Sequence, residues 1–147
     1  MPINIREIQE ADLDVLSTLY VSVFSGPPWN EEWHHEWALA RLTDICEFAG
    51  FYGLLVEDNA QVIAGVLGRS LPFKGRKEYE MIEFFVNSER QGEGIGKQLI
   101  TTLETSLKQQ GHAFCTLLTG KGTDAEFFYK RNGYKISEGM LFMAHEL

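Results

Sequence analysis

The run from Glu80 to Lys97 constrains the fold more than any other part of the chain. It reads Glu-Met-Ile-Glu-Phe-Phe-Val, then Asn-Ser-Glu-Arg, then Gln-Gly-Glu-Gly-Ile-Gly-Lys. The first seven residues are apolar, aromatic and β-branched enough for a buried strand, which Gly92, Gly94 and Gly96 cannot comfortably continue. Beyond them Ile95, Leu99, Ile100, Leu103 and Leu107 recur at helical spacing, and Gly111 offers a stop. The stretch is therefore strand, short loop, glycine turn, helix. At such a helix start the backbone N–H groups converge, the absent side chains let a ligand reach the main chain, and the helix dipole favours an anion such as a phosphate or pyrophosphate.

Spacing separates the phosphate-binding possibilities. A P-loop needs a glycine five positions before the Gly-Lys pair and Ser or Thr after it, whereas this chain has Gln91 before Gly96-Lys97 and Gln98 after. A dinucleotide fingerprint needs its glycines directly after the strand, but Lys97 occupies the third glycine position and four residues separate Val86 from Gln91. What fits is Val86, four residues, then Gln91-x-x-Gly94-x-Gly96. This closely resembles the coenzyme A signature of the GNAT superfamily of N-acetyltransferases. A distant second segment, Ala125-Glu126-Phe127-Phe128-Tyr129-Lys130-Arg131-Asn132-Gly133-Tyr134, looks like that family's late helix. The resemblance covers roughly residues 50 to 147, and the first 50 are compatible with it without being diagnostic.

At 147 residues the chain has the size of one domain, so residues 1–147 are expected to form a single N-acetyltransferase domain. The 44% hydrophobic and 23% charged content is ordinary for a soluble protein, with no signal-like start or membrane-length apolar run. A cytoplasmic protein is the expectation. Cys46 and Cys115 have neither CxxC nor metal-type spacing and read as buried thiols, not nucleophiles. The net charge of −8 argues against a nucleic-acid surface and is compatible with cationic partners.

Along the chain, Ile3, Ile5 and Ile8 indicate a first strand, and Asp12 a cap for a helix with its stripe at Leu13, Leu16, Leu19, Tyr20 and Val23. After Ser25-Gly26-Pro27-Pro28, Asn30 with Glu31 and Glu32 predicts the start of a second helix reaching about Cys46. Trp29, Trp33 and Trp37 would then lie every four residues, as a packing face or as an acceptor pocket. His34 and His35 are adjacent, which makes a poor metal pair, and no metal site is predicted. Phe51–Glu57 and Gln61–Leu71 read as strands joined at Asp58-Asn59, with Pro72–Lys77 as a second turn. Phe114–Leu118 reads as a strand, Thr123 or Asp124 as a helix cap, and Tyr134–Ile136 and Leu141–His145 as two closing strands.

The resemblance implies an α/β (α+β) fold: a mixed, mostly antiparallel sheet that splays near the end of the central strand, flanked by about four helices. It implies acetyl-CoA as cosubstrate, its pantetheine arm lying against Phe84, Phe85 and Val86 and its pyrophosphate on Gln91, Gly92, Glu93, Gly94, Ile95, Gly96 and Lys97. By the same resemblance Tyr129 stands where the family's general acid sits, and Glu80 where several members keep a catalytic Glu. On an undistorted strand Glu80 shares a face with Ile82, Phe84 and Val86 while Glu83 points to the other, so the base is Glu80, Glu83 or a water. Gly122 replaces an Asn common in the family, which puts a pantetheine or acceptor contact in doubt. The expected reaction is transfer of acetyl from acetyl-CoA to a primary amine by direct attack in a ternary complex. The expected acceptor is a small cationic amine, more readily than a protein, because Glu31, Glu32 and Glu36 accompany the tryptophans. Neither nucleic acid nor membrane is an expected partner, and a homodimer is compatible. The alternatives are a non-catalytic acyl-coenzyme A sensor and an interaction domain on the same fold.

Overall fold

The computed structural model describes residues 3–147. Five strands form one sheet in sequence order: β1 (Ile3–Glu7), β2 (Phe51–Asp58), β3 (Gln61–Phe73), β4 (Arg76–Val86) and β5 (His112–Leu117). The first four pair antiparallel and β4 pairs parallel with β5. A parallel pair needs a crossover. Helix α3 (Ile95–Gln109) supplies it, while α1 (Leu13–Ser25), α2 (His35–Cys46) and α4 (Asp124–Arg131) complete the helical set. The result is the mixed, mostly antiparallel architecture expected. No helix among the described residues is long and apolar enough to cross a membrane.

Each face of the sheet buries its own core. On one, Leu99, Ile100 and Leu103 of α3 and Tyr129 of α4 pack on Val56, Ile63, Val66 and Met81. On the other, Leu16 and Tyr20 of α1 and Leu42 of α2 pack on Leu55, Leu67 and Phe85. The α3 stripe is the one read from its sequence, and it ends at Gly111, whose φ of 91° only glycine adopts easily. The β2–β3 hairpin turns at Asn59-Ala60 and the β3–β4 hairpin at Lys74-Gly75, all with positive φ. The second turn is therefore shorter than Pro72–Lys77, because Pro72 and Phe73 still pair with Lys77 and Arg76.

Three expectations are corrected. The second helix begins at His35: Asn30 takes a φ of 50°, its N–H bonds the Gly26 carbonyl at 2.8 Å and the Glu31 N–H bonds that of Phe24 at 2.9 Å, so this stretch folds back on α1 as loop. Asp12 makes no side-chain cap on α1. It accepts the Gln9 N–H at 2.7 Å and a bidentate pair of bonds from Arg6. Finally, Tyr134–Ile136 and Leu141–His145 form no strands, because the sheet ends at β5 and nothing pairs with its far edge.

Two features of β4 place the site. Pairing with β5 stops at Met81 opposite Leu117, which leaves Ile82–Val86 unpaired on that side and opens the splay. On the β3 side Leu67 opposes Glu83 and Gly68 opposes Met81, so Ile82 is an extra, bulged residue.

Candidate active site

One side of the splay presents the start of α3 behind a glycine turn. Gly92 and Gly94 hold φ of 84° and 81°, with open space where a Cβ would stand, and they turn the chain from the Ser88–Arg90 turn into α3. Gly96 is small for a different reason: a Cβ there would lie 3.3 Å from the Phe128 ring. The first helical bond runs from the Gln98 N–H to the Gly94 carbonyl at 3.1 Å, so the N–H groups of Ile95, Gly96 and Lys97 have no partner within the helix. Gln91 donates to the Val86 carbonyl at 3.4 Å and steadies the loop. Glu93 turns its carboxylate to Arg90 at 3.1 Å, and Arg90 also holds Asp58 at 2.8 Å. The side-chain charge of Glu93 is thus drawn away from the free N–H groups. A cavity of about 900 Å³ opens beside this loop, reaching from Phe84, Phe85 and Val86 to Lys97 and Arg131. Neither of those two cations takes part in an ion pair among the described residues.

A second cavity, of about 490 Å³, lies on the other side of Phe84. Phe84 and Tyr129 line both, so these two rings stand at the junction, their centroids 6.0 Å apart. The Tyr129 ring is buried against Phe128 and Tyr134, and its hydroxyl has the Met81 sulfur as its polar neighbour at 3.9 Å. Burial raises its pKa well above the phenol value, so it stays a proton donor across the ordinary pH range.

The smaller cavity is lined by ionisable side chains, Glu31, Arg41 and Glu83. Glu83 lies in its wall, buried, accepting from the Tyr20 hydroxyl at 3.0 Å and from the Arg41 guanidinium. Burial pushes its pKa up, and the Arg41 and Tyr20 bonds pull it part of the way back. A carboxylate so placed is a stronger proton acceptor than an exposed one. Glu80 is elsewhere: it is half-exposed, bonds Arg69 at 3.1 Å and lines neither cavity. It lies short of the splay, where β4 still pairs with β5 opposite Thr116, and the bulge at Ile82 follows it. The bulge interrupts the alternation, so Met81 and Phe84 pack on the α3 side while Ile82, Glu83 and Phe85 face α1 and α2. The undistorted-strand reading that put Glu80 with Phe84 and Val86 is corrected by that one residue.

The tryptophans divide. Trp29 and Trp33 line the smaller cavity with Glu31, whose carboxylate accepts the Trp33 indole N–H at 3.0 Å. Trp37 is 49% exposed and stacks edge-on with His34 instead. Because residues 29–34 are loop and not helix, acid and aromatic converge at Glu31, and Glu32 pairs with His34 at 2.9 Å outside the cavity. Thr123 caps α4 by accepting the Glu126 N–H at 3.3 Å, and Gly122, at a φ of 78°, donates its N–H to the Glu126 carboxylate at 2.7 Å. Cys46 and Cys115 are half-buried, and desolvation pushes each thiol up to about 11, away from nucleophilic use. Tyr20 and Arg41 gave no local signal as site residues. They reach Glu83 from α1 and α2, 63 and 42 positions away in sequence.

A five-stranded sheet splayed between β4 and β5, with a glycine-turned helix start on one side of the gap, has the fold of a solved GNAT family acetyltransferase of Staphylococcus aureus, with a TM-score of 0.76 at 20% identity. The model of the acetyltransferase (GNAT) family matches residues 13–134, and the chain belongs to that family. It is 27% identical to an uncharacterised N-acetyltransferase of Methanocaldococcus jannaschii, the match covering 92% of this chain and 62% of that relative's length. Among solved structures, an integron cassette protein from the mobile metagenome of V. cholerae superposes with a TM-score of 0.83 at 18% identity, covering 99% of this chain and 93% of the other. An aminoglycoside acetyltransferase from an uncultured soil metagenomic sample superposes with a TM-score of 0.77 at 20% identity, covering 99% and 96%.

Proposed function

We propose that the chain transfers an acetyl group from acetyl-CoA to the primary amine of a small cationic acceptor by direct attack in a ternary complex. The observation that carries this reading is the pair of cavities meeting at Phe84 and Tyr129, one opening on unpartnered N–H groups and the other lined by carboxylates and indoles. The residues fit the coenzyme. The N–H groups at the start of α3 would hold the pyrophosphate with Lys97 and Arg131 adding attraction, and the unpaired edge of Phe84–Val86 would hold the pantetheine amides. When bound, acetyl-CoA supplies an activated thioester. Glu83 takes the ammonium proton, directly or through a water, and leaves the amine lone pair free for attack. Tyr129 gives its hydroxyl proton to the departing sulfur as the C–S bond breaks, and the second nitrogen proton, lost as the amide forms, restores the neutral phenol. Glu31, Trp29 and Trp33 orient the cation, each cation–π contact contributing about 0.5 to 2 kcal/mol. Both thiols are pushed up by burial and neither lines either cavity, so no cysteine carries the acetyl group.

The test is thiol release from acetyl-CoA across polyamines, amino sugars, amino acids and peptides, with mass spectrometry of the product. Acetylation of a multiply charged small amine is expected. Binding of coenzyme A in calorimetry with no turnover on any amine would make the chain a sensor, and no binding at all would make it an interaction domain.

A further inference from the structure

The hydrogen bonds around Glu83 fall unevenly on its carboxylate. The Tyr20 hydroxyl at 3.0 Å and the Arg41 Nε–H both go to Oε2, and among the described residues no donor meets Oε1. Arg41 is engaged on one side only. Its Nε–H is held by Glu83, while its terminal Nη groups meet no acceptor at hydrogen-bonding distance and angle among the described residues. The side chain is 46% exposed where it lines the smaller cavity. An open acceptor oxygen and a fork of N–H donors therefore stand side by side in one wall, because the two residues are bonded to each other.

That juxtaposition has a chemical complement. An α-amino acid carries an ammonium and a carboxylate on one carbon, so its amine can face Oε1 while its carboxylate takes the Arg41 fork. A third group lies in the same cavity. Glu31 accepts the Trp33 indole N–H at 3.0 Å on one carboxylate oxygen, and with Trp29 and Trp33 it offers a negative charge and two aromatic faces to a cation. A diamine satisfies the two carboxylates but sets an ammonium against the Arg41 guanidinium, where like charges repel. An amino acid with a neutral side chain suits Glu83 and Arg41 and leaves Glu31 without a counter-charge. A molecule bearing all three charges matches all three residues, and a cavity of about 490 Å³ is of small-ligand size.

We propose that the acceptor is a free α-amino acid with a cationic side chain, acetylated on its α-nitrogen, and that Arg41 selects it by holding the α-carboxylate. The inference rests on the acetyl-transfer reading and narrows it. The α-amine is the less basic of the two nitrogens, so it is the easier one to bring neutral. Glu83 takes one ammonium proton on Oε1, the nitrogen lone pair bonds the acetyl carbon, the C–S bond breaks and Tyr129 protonates the sulfur. The second nitrogen proton restores the phenol, and the proton on Glu83 passes to solvent. The products are an Nα-acetyl amino acid and coenzyme A. Arg41 moves no proton; it fixes which of the two amines reaches Glu83.

The test compares kcat/KM for free lysine and ornithine with three probes: lysinamide, which lacks the carboxylate charge, cadaverine, which lacks the group altogether, and norleucine, which lacks the side-chain cation. The free basic amino acids should lead each comparison by about tenfold or more, the scale of one hydrogen bond to a charged group. NMR of the product should place the acetyl on the α-nitrogen. Arg41→Gln should bring the lysine-to-lysinamide ratio close to parity, and Arg41→Lys, which keeps the charge, should retain most of it. A merely structural loss lowers both substrates alike and leaves the ratio where it was. An unchanged ratio in Arg41→Gln, an Nε-acetyl product, or cadaverine or an amino sugar turned over as well as lysine would overturn this inference and leave acetyl transfer standing. No turnover on any amine would overturn both.

Discussion

Tyr129 is held by three aromatic neighbours and donates its hydroxyl proton only to the Met81 thioether at 3.9 Å, a weak acceptor. Replacing it with Phe leaves the packing intact and removes the donor. Turnover should fall about 10²-fold, the lower range for loss of a general acid, while the Kd for acetyl-CoA in calorimetry stays within a factor of a few. Glu83 should behave differently because it titrates. Its carboxyl must be ionised to accept a proton, and its pKa is raised, so the acid limb of kcat/KM lies above the ordinary glutamate range. Activity falls as pH drops through that raised value. Glu83→Gln should lower kcat by about 10² to 10⁴-fold and erase that limb from the pH profile, whereas Glu80→Gln should leave both unchanged. The position of Tyr129 at the cavity junction was legible because a local motif carries it. The position of Glu83 in the cavity wall was not, since the residue that decides the facing of β4, Ile82, looks in sequence like any other strand residue.

At the scale of elements, legibility followed local periodicity. The α3 stripe and its glycine boundaries are set by neighbours within one or two turns, and they fell where the spacing put them. The segment around Asn30 did not, because a plausible cap and acidic first turn were outweighed by bonds back to α1 from Asn30 and Glu31. The closing strands failed for a related reason: strand formation needs a partner, and pattern alone does not supply one. Asp12 shows the same shift from local to distant partners, since it joins β1 to the start of α1 through Arg6. The Arg6 guanidinium holds its pKa below the usual carboxylate range. A depressed folded value means this contribution is present above the unfolded pKa of about 3.9 and is lost as pH falls through the folded one. Asp12→Asn should therefore lower the denaturation midpoint at pH 7 and make it less sensitive to acid below about pH 4 than that of the wild type, as read by urea melts across pH.

For the molecule as a whole, a net charge of −8 should steer cationic acceptors toward the cavity holding Glu31 and Glu83. The kcat/KM for a polyamine should drop several-fold between about 20 and 300 mM salt, as screening shortens from roughly 20 Å to 6 Å, while that for a neutral amine changes little. Stopped-flow thiol release at several ionic strengths measures both. The extra residue in β4 has a further consequence at this scale. Removing Ile82 would return Glu83 to direct sequence with Met81 and keep each side chain on its present face, but it would take away the bend where β4 parts from β5. The straightened strand could then go on pairing past Leu117 and zip the gap shut. A chain lacking Ile82 should fold, keep Glu83 beside Arg41, and fail to bind coenzyme A. The opening at the centre of this molecule is, in that sense, one surplus residue long.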